Sequence, residues 1–298
     1  MPNISAVILT WNEEKNLRRC ISTLSTWVDE IVVVDTESTD ATAKLAQSLG
    51  ARVFSHSYIG YADPARNFAL NKAVGEWIIM IDADEEVPPT LGKKILNVIQ
   101  SNPKETFFRL PRKNISFGKW LEHGMWWPDY QIRLFRKGYV EWKNDVHSMP
   151  FTKGTGSDFP AKEEYALIHH NYQTISQFVE RLNRYTTFQA KEKIEENSTF
   201  HWMIVLKAPF QEFLRRFFLA EGYKDGLHGL CLSLMQAFSE CILYLKIWEL
   251  KSFPEVSAKE IKKEMPHMVN QSRKEMYHWL SKTGFINKLT ARLHTFLS

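Results

Sequence analysis

Cysteine is scarce in this chain. Cys20, Cys231 and Cys241 are odd in number and widely spaced among 298 residues. That excludes a disulfide framework and any zinc-ligand spacing, and it suits reduced thiols in apolar or helical settings. Strong charge of one sign is lacking too. A formal net charge of +4 favours anionic small molecules or anionic lipid but falls well short of a nucleic-acid-binding surface, so no nucleic-acid partner is expected. The first residues, MPNISAVILTWNEE, have no basic leader and no small-residue cleavage site, so residues 4–9 read as a first strand rather than a signal peptide. Internal repeats and low-complexity tracts are absent. A clean membrane span is absent as well, because the apolar stretch 227–245 is interrupted by His228, Ser233, Gln236, Ser239 and Glu240.

What the chain does contain is a β-α-β-α-β order. Strands are expected at 4–9, 31–34, 53–54 and 77–81, and the helical stripes Leu17, Cys20, Ile21, Leu24 and Ala41, Leu45, Ala46, Leu49 lie between them, with a further helix at 65–73. This order predicts an α/β, Rossmann-like fold with a mostly parallel central sheet. Residues 105–170 are rich in aromatics, glycine and proline, with strand candidates at 106–110, 131–136 and 165–169, and read as the mixed-sheet half of the same domain. From about residue 174 the pattern becomes helical. Two regions follow: a domain over residues 1–173 and a helical C-terminal region over 174–298. In that region the segment 200–250 reads either as a buried helical hairpin or as a surface lying in a membrane interface. In the second reading Trp202, Phe210, Phe213, Phe217, Phe218 and Trp248 enter the interface beside Lys207, Arg215, Arg216 and Lys246.

The chemistry gathers at strand ends. The apolar run Trp77 to Ile81 delivers Asp82 and Asp84, and the following DADEEVPP reads as a loop leaving the sheet. Ligands of open α/β sheets bind outside the carboxyl ends of the strands. The first strand ends in Thr10, Trp11, Asn12 and Glu13, which could equally cap the next helix, and the second ends in Asp35. Ser38, Thr39 and Asp40 read as caps of the second helix. Arg66 and Asn67 open a helix before the Asp82 strand; the guanidinium could fork onto a phosphate or form a surface ion pair.

TWNEE, VVVDTESTDAT, the downstream ARN and the strand-borne DAD stand in the order and spacing of family 2 glycosyltransferases of the GT-A fold, which this chain resembles over residues 3–90 and more weakly through QIRLFRKG. IGYADPARNFAL, WWPDYQIRLFRKG, NRYT at 183–186 and EGYKDGLHG at 221–229 resemble the WaaE-type lipopolysaccharide core β-1,4-glucosyltransferases. The resemblance implies that Thr10, Asn12, Glu13 and Asp35 surround the uridine and ribose of a UDP-sugar, and that Arg66 approaches the diphosphate. It implies that Asp82 touches ribose or metal and that Asp84 ligates Mg²⁺ or Mn²⁺, cations that hard carboxylate oxygens suit.

An inverting transfer also needs a base at the acceptor hydroxyl. By resemblance Asp129 takes that role, although Pro128 stands where relatives carry a glutamate; Asp145 and Glu141 are the alternatives, with Ser148 where many relatives carry the glutamate of Val-His-Glu. His147 could contact metal or phosphate or be a buried hydrogen-bonded residue. Trp120, Trp126 and Trp127 could offer flat faces to a sugar or be core. The resulting expectation is a metal-dependent hexosyltransferase, with UDP-glucose as donor and a lipopolysaccharide inner core or related glycolipid as acceptor, peripheral on the cytoplasmic face of the inner membrane. A polyprenyl-phosphate or peptide glycosyltransferase, or a non-catalytic nucleotide-sugar-binding scaffold, are the alternatives.

Overall fold

The computed structural model describes residues 3–58, 63–142, 150–196 and 200–286. In chain order the first half contains β1 (Ile4–Thr10), α1 (Glu14–Leu24), β2 (Glu30–Asp35), α2 (Thr42–Ser48), β3 (Arg52–Ser55), α3 (Asp63–Lys72), β4 (Trp77–Asp82), β5 (Glu85–Glu86) and α4 (Pro89–Gln100). Next come β6 (Phe107–Leu110), β7 (Arg112–Ser116), β8 (Lys119–Trp120), β9 (Gln131–Arg136), β10 (Val140–Glu141), β11 (Phe151–Thr152), β12 (Gly156–Asp158) and β13 (Leu167–Tyr172). The helical half holds α5 (Ile175–Glu195), α6 (Ile204–Leu214), α7 (Leu227–Leu250) and α8 (Ala258–Lys282).

The main sheet has seven strands in the order β12-β6-β9-β4-β1-β2-β3. β1 pairs in parallel with both β2 and β4, and β2 in parallel with β3, as the alternation of strands and helices requires. β9 enters antiparallel between β4 and β6, which makes the sheet mixed on that side. All seven residues of β1 are buried because both faces are covered. Ala6 and Ile8 face the core built with Leu17, Ile21 and Leu24 of α1 and Leu91 and Ile95 of α4, whereas Val7 and Leu9 face Ala65, Ala69 and Leu70 of α3. Gly75 lets the chain pass β1 closely: a Cβ there would stand 2.5 Å from Ser5 Oγ and 2.6 Å from Ser5 N.

A second sheet, ordered β5-β13-β7-β8, corrects one expectation. DADEEVPP does not leave as a loop. Glu85 and Glu86 form β5 and pair antiparallel with His169 and Ile168 of β13, which is buried at every other residue. This pairing is what brings a histidine to the aspartates.

By packing, the chain divides into two units: residues 1–120 with 127–171, and residues 121–126 with 172–298. The six-residue excursion had no counterpart in the sequence pattern. Its anchor is the EGYKDG turn. The buried Asp225 carboxylate accepts the His123 N–H at 2.9 Å and the Glu122 N–H at 3.4 Å and stands 3.2 Å from His123 Nδ1, while Gly124 N donates to Ala220 O at 2.7 Å.

In the second unit α5 and α7 pack along one another, and α6 packs on α7. Several of the residues named for the membrane-interface reading make contacts inside this unit. Phe213 stacks on Phe217, Phe218 meets both edge to face, and Tyr223 and Phe285 meet Phe217 and Phe218 respectively edge to face, with Phe218 buried. Arg216 binds Glu212 at 2.5 Å and Gly124 O at 3.0 Å. Lys246 Nζ donates to Asn183 O and Oδ1 and to the Thr186 and Thr187 hydroxyls, at 2.5, 2.8, 3.0 and 2.6 Å. The NRYT motif is thus a cage for a lysine. Lys246→Met strips these acceptors of a charged donor, and a loss of roughly 1–3 kcal/mol is expected from the denaturant midpoint of the second unit. An unchanged midpoint would show the cage to be energetically idle.

Candidate functional site

β1, β2 and β4 end side by side, with Thr10 opposite Asp35 and Leu9 opposite Asp82 in register. Thr10 Oγ1 donates to Asp35 Oδ1 at 3.2 Å, and Asp35 Oδ2 accepts the Ser38 N–H at 3.0 Å. Asn12, at φ 55°, accepts the Thr39 N–H at 2.8 Å and donates its own N–H to Ser38 Oγ at 2.8 Å. Glu13 precedes α1 and accepts from Asn16 Nδ2 at 2.8 Å; its N–H donates to Thr42 Oγ1 at 2.8 Å. Thr10, Asn12, Glu13 and Asp35 therefore tie the β1 and β2 loops into one rigid rim. Of the three expected caps only Asp40 serves α2, accepting from the Thr42 N–H at 2.9 Å, because Ser38 and Thr39 are spent on Asn12.

The two aspartates have different surroundings. Asp82 ends β4 and is gripped by both terminal nitrogens of Arg133, with Arg66 Nη2 at 3.6 Å from Oδ1. Burial pushes its pKa up, but the charges of Arg133 and Arg66 overcome this and hold it far below the ordinary carboxylate range. Arg66 also lies 5.4 Å from the Trp142 ring and is the fourth residue of α3, at the close of its first turn. Arg133 itself is buried: Nη2 donates to Glu85 Oε1 at 2.7 Å, and Glu85, fully buried, accepts the Asp82 N–H at 2.9 Å. Burial lowers the Arg133 pKa, yet Asp82 and Glu85 keep it above the ordinary arginine value.

Asp84 is buried, and its Oδ1 lies 3.6 Å from His169 Nε2. On the far side of the ring, His169 Nδ1 is 2.6 Å from Asn114 Oδ1, and Asn114 Nδ2 donates to Asp129 Oδ2 at 3.1 Å. An amide oxygen only accepts, so Nδ1 carries a proton in this hydrogen bond, and Nε2 is the ring nitrogen left facing Asp84. An imidazole nitrogen and a carboxylate oxygen facing each other just beyond hydrogen-bond length fit a cation held between them. The carboxylate oxygen suits Mg²⁺ and Mn²⁺ alike, and the imidazole nitrogen favours Mn²⁺. His169 is the residue that sequence reasoning missed.

Asp129 is the end of that chain. Arg112 Nε and Nη2 donate to Oδ2 at 2.9 and 2.5 Å, while Gln131 Nε2 donates to Oδ1 at 2.9 Å. Burial raises its pKa, but Arg112, Asn114 and Gln131 bring it below the ordinary carboxylate value. Asp129 is the base that the resemblance implies; in the structure it accepts from Asn114, whose amide oxygen in turn meets His169. Glu141 is exposed on β10, and Asp145, His147 and Ser148 lie outside the described residues. Trp120 and Trp127 meet edge to face at 5.4 Å in the first unit, whereas Trp126 belongs to the second unit, against Tyr172 and Arg216.

Polar strand ends, the hydrogen-bonded β1–β2 rim and a carboxylate–imidazole pair gather at the carboxyl ends of the central strands. The sequence model described as Glycosyl transferase family 2 matches residues 5–155, half of the chain, and the protein belongs to that family, with the GT-A fold. An uncharacterized glycosyltransferase of Rickettsia typhi is 29% identical over 261 residues, covering 84% of this chain and 88% of that one. The lipopolysaccharide core biosynthesis glycosyltransferase LpsC of Rhizobium meliloti is 27% identical over 263 residues, covering 85% of this chain and 96% of that one. Among solved structures, S. aureus TarS aligns with a TM-score of 0.43 at 17% identity, over 76% of this chain and 46% of that one.

Proposed function

We propose that this glycosyltransferase moves a hexose, glucose in the first instance, from a UDP-sugar to a hydroxyl of a lipopolysaccharide inner core or related glycolipid, with inversion at the anomeric carbon. The likeness to LpsC along nearly its whole length supports the acceptor class. The observation that carries the reading is the pairing of Asp84 with His169, backed by Asn114. In this proposal Asp84 and His169 would hold a Mg²⁺ or Mn²⁺ ion, which would supply positive charge for a diphosphate leaving group. Thr10, Asn12, Glu13 and Asp35 shape the nucleoside end. Arg66 meets the diphosphate, and Asp82, neutralised by Arg133, keeps Arg66 aimed there.

Asp129 receives the acceptor proton through Oδ1, which holds one hydrogen bond from a neutral amide. A base must be ionised, so the rate carried by Asp129 falls only as pH drops through its depressed pKa, beneath the ordinary carboxylate range. Asp129→Asn is expected to lower kcat on the order of 10²-fold or more at saturating Mn²⁺. A variant with normal kcat and only a raised Mn²⁺ requirement would reassign Asp129 to the orientation of His169 alone.

The enzyme works, in this reading, on the cytoplasmic face of the inner membrane. α8 supports that placement: no residue of this 25-residue helix is buried, and it carries Lys259, Lys262, Lys263, Arg273, Lys274 and Lys282. Mass analysis of glycolipid from cells with and without the protein tests the reading. A core lacking one hexose in its absence is expected; an unaltered core with a shortened polyprenyl-linked or peptide glycan would move the acceptor to another class.

A further inference from the structure

α7 is long and apolar enough to cross a membrane by length and composition, yet two of its faces are already taken. α5, with Glu180, Arg181, Arg184, Lys191, Glu192 and Lys193, and α6 both pack along it, and a span would carry those charges into lipid. The remaining face is different. Leu227, Leu234, Phe238 and Leu245 are 72%, 51%, 52% and 37% exposed, an unusual state for four large apolar side chains on one helix.

Cys231 and Cys241, both partly exposed, complete the row. Leu227, Cys231, Leu234, Phe238, Cys241 and Leu245 follow one another at steps of four, three, four, three and four, the heptad spacing of a helix–helix seam. A surface helix would place polar groups along that row. The row is also symmetric: its members stand nine, five and two residues on either side of Gln236, leucine matching leucine, cysteine matching cysteine and leucine matching phenylalanine. An antiparallel pair of identical helices related by a two-fold axis requires that symmetry, since each residue must meet its mirror position on the other copy.

We infer that the exposed face of α7 is the seam of a homodimer in which two copies of α7 cross antiparallel at Gln236, setting Cys231 of each copy beside Cys241 of the other. This goes beyond the catalytic reading and does not depend on it. A second copy suits the row better than a lipid surface does. The charged residues of α7 are Glu240, Lys246 and Glu249, and Lys246 is held by α5, so the row offers no lysine or arginine to anionic headgroups. The row is about 27 Å long at the helical rise, which makes a small interface and a dimer dissociating on the order of micromolar.

The test uses the full chain. Sedimentation across a concentration series is expected to show reversible dimers, and a short bismaleimide is expected to double the mass of the native protein. Cys20, buried in the first unit, stays unreactive and serves as internal control. Cys231→Ser and Cys241→Ser should each fail to cross-link alone, and a mixture of the two should cross-link again, because the mixed pair keeps one Cys231 facing one Cys241. Phe238→Glu should be monomeric with an unchanged circular dichroism spectrum; the cross-linking pattern decides the matter if that variant does not fold. A monomer at every concentration would overturn the inference. So would cross-linking of either serine variant by itself, which marks a parallel pair, or thiols protected only when phosphatidylglycerol vesicles are added, which marks a lipid surface.

Discussion

Arg133→Leu is expected to destabilise the first unit by about 3–5 kcal/mol, a large share of a typical domain's stability of about 5–15 kcal/mol. Arg133 is the cation that Asp82 and the fully buried Glu85 share. Removing it leaves a buried carboxylate whose remaining cationic contact is Arg112 at 3.4 Å. The cost comes from the stranded charge more than from the lost bonds. Chemical denaturation followed by tryptophan fluorescence measures it, and Glu85→Gln combined with Arg133→Leu should recover part of the loss. A single variant as stable as the parent would show that the network is solvated in solution.

The same network sets an acid limit. The folded-state pKa of Asp82 lies below its unfolded value, so its contribution is present above roughly pH 4 and is lost as pH falls through the folded value.

Asp84→Ala should reduce turnover on the order of 10³-fold, with His169→Ala close behind. Asn114→Ala should cost less, roughly 10- to 100-fold in metal affinity, because it frees the imidazole to rotate without removing a ligand. The graded order distinguishes a cation pair from a bulk electrostatic effect. Were Asn114→Ala as damaging as Asp84→Ala, or were His169→Ala silent, the pairing would have no catalytic meaning. Unfolding midpoints of all three variants separate loss of function from loss of structure.

How far the sequence reveals this site depends on which interactions are local. Strand ends are local: the apolar runs of β1, β2 and β4 and the helical stripes between them are enough to place Thr10, Asp35 and Asp82 at one sheet edge. Their partners are not local. Arg133 sits inside QIRLFR, where an arginine flanked by apolar residues passes for a strand's exposed position, yet the strand alternation turns it inward to Asp82.

His169 was legible only as a strand residue, within the candidate 165–169. The missing fact was that β13 pairs with Glu85 and Glu86, and acidic residues before a proline pair look like a loop because carboxylates are depleted in strands. A signal was present in LIHHNY, where strict alternation gives His169 and Asn171 the inward face. The division of labour between Asp82 and Asp84 has the same origin, since one meets arginines and the other an imidazole that only the folded chain supplies. The 121–126 excursion was beyond reach for a plainer reason: its anchor, Asp225, is about a hundred residues away.

The central claim is that Asp84 and His169 hold a divalent cation for the diphosphate of the donor. Isothermal titration of UDP into the native protein, with Mn²⁺ and then with chelator, tests it most directly. The account predicts binding that weakens at least tenfold in chelator, with Asp84→Ala binding UDP equally weakly whether or not Mn²⁺ is present. Tight UDP binding that ignores both the metal and the substitution would contradict it.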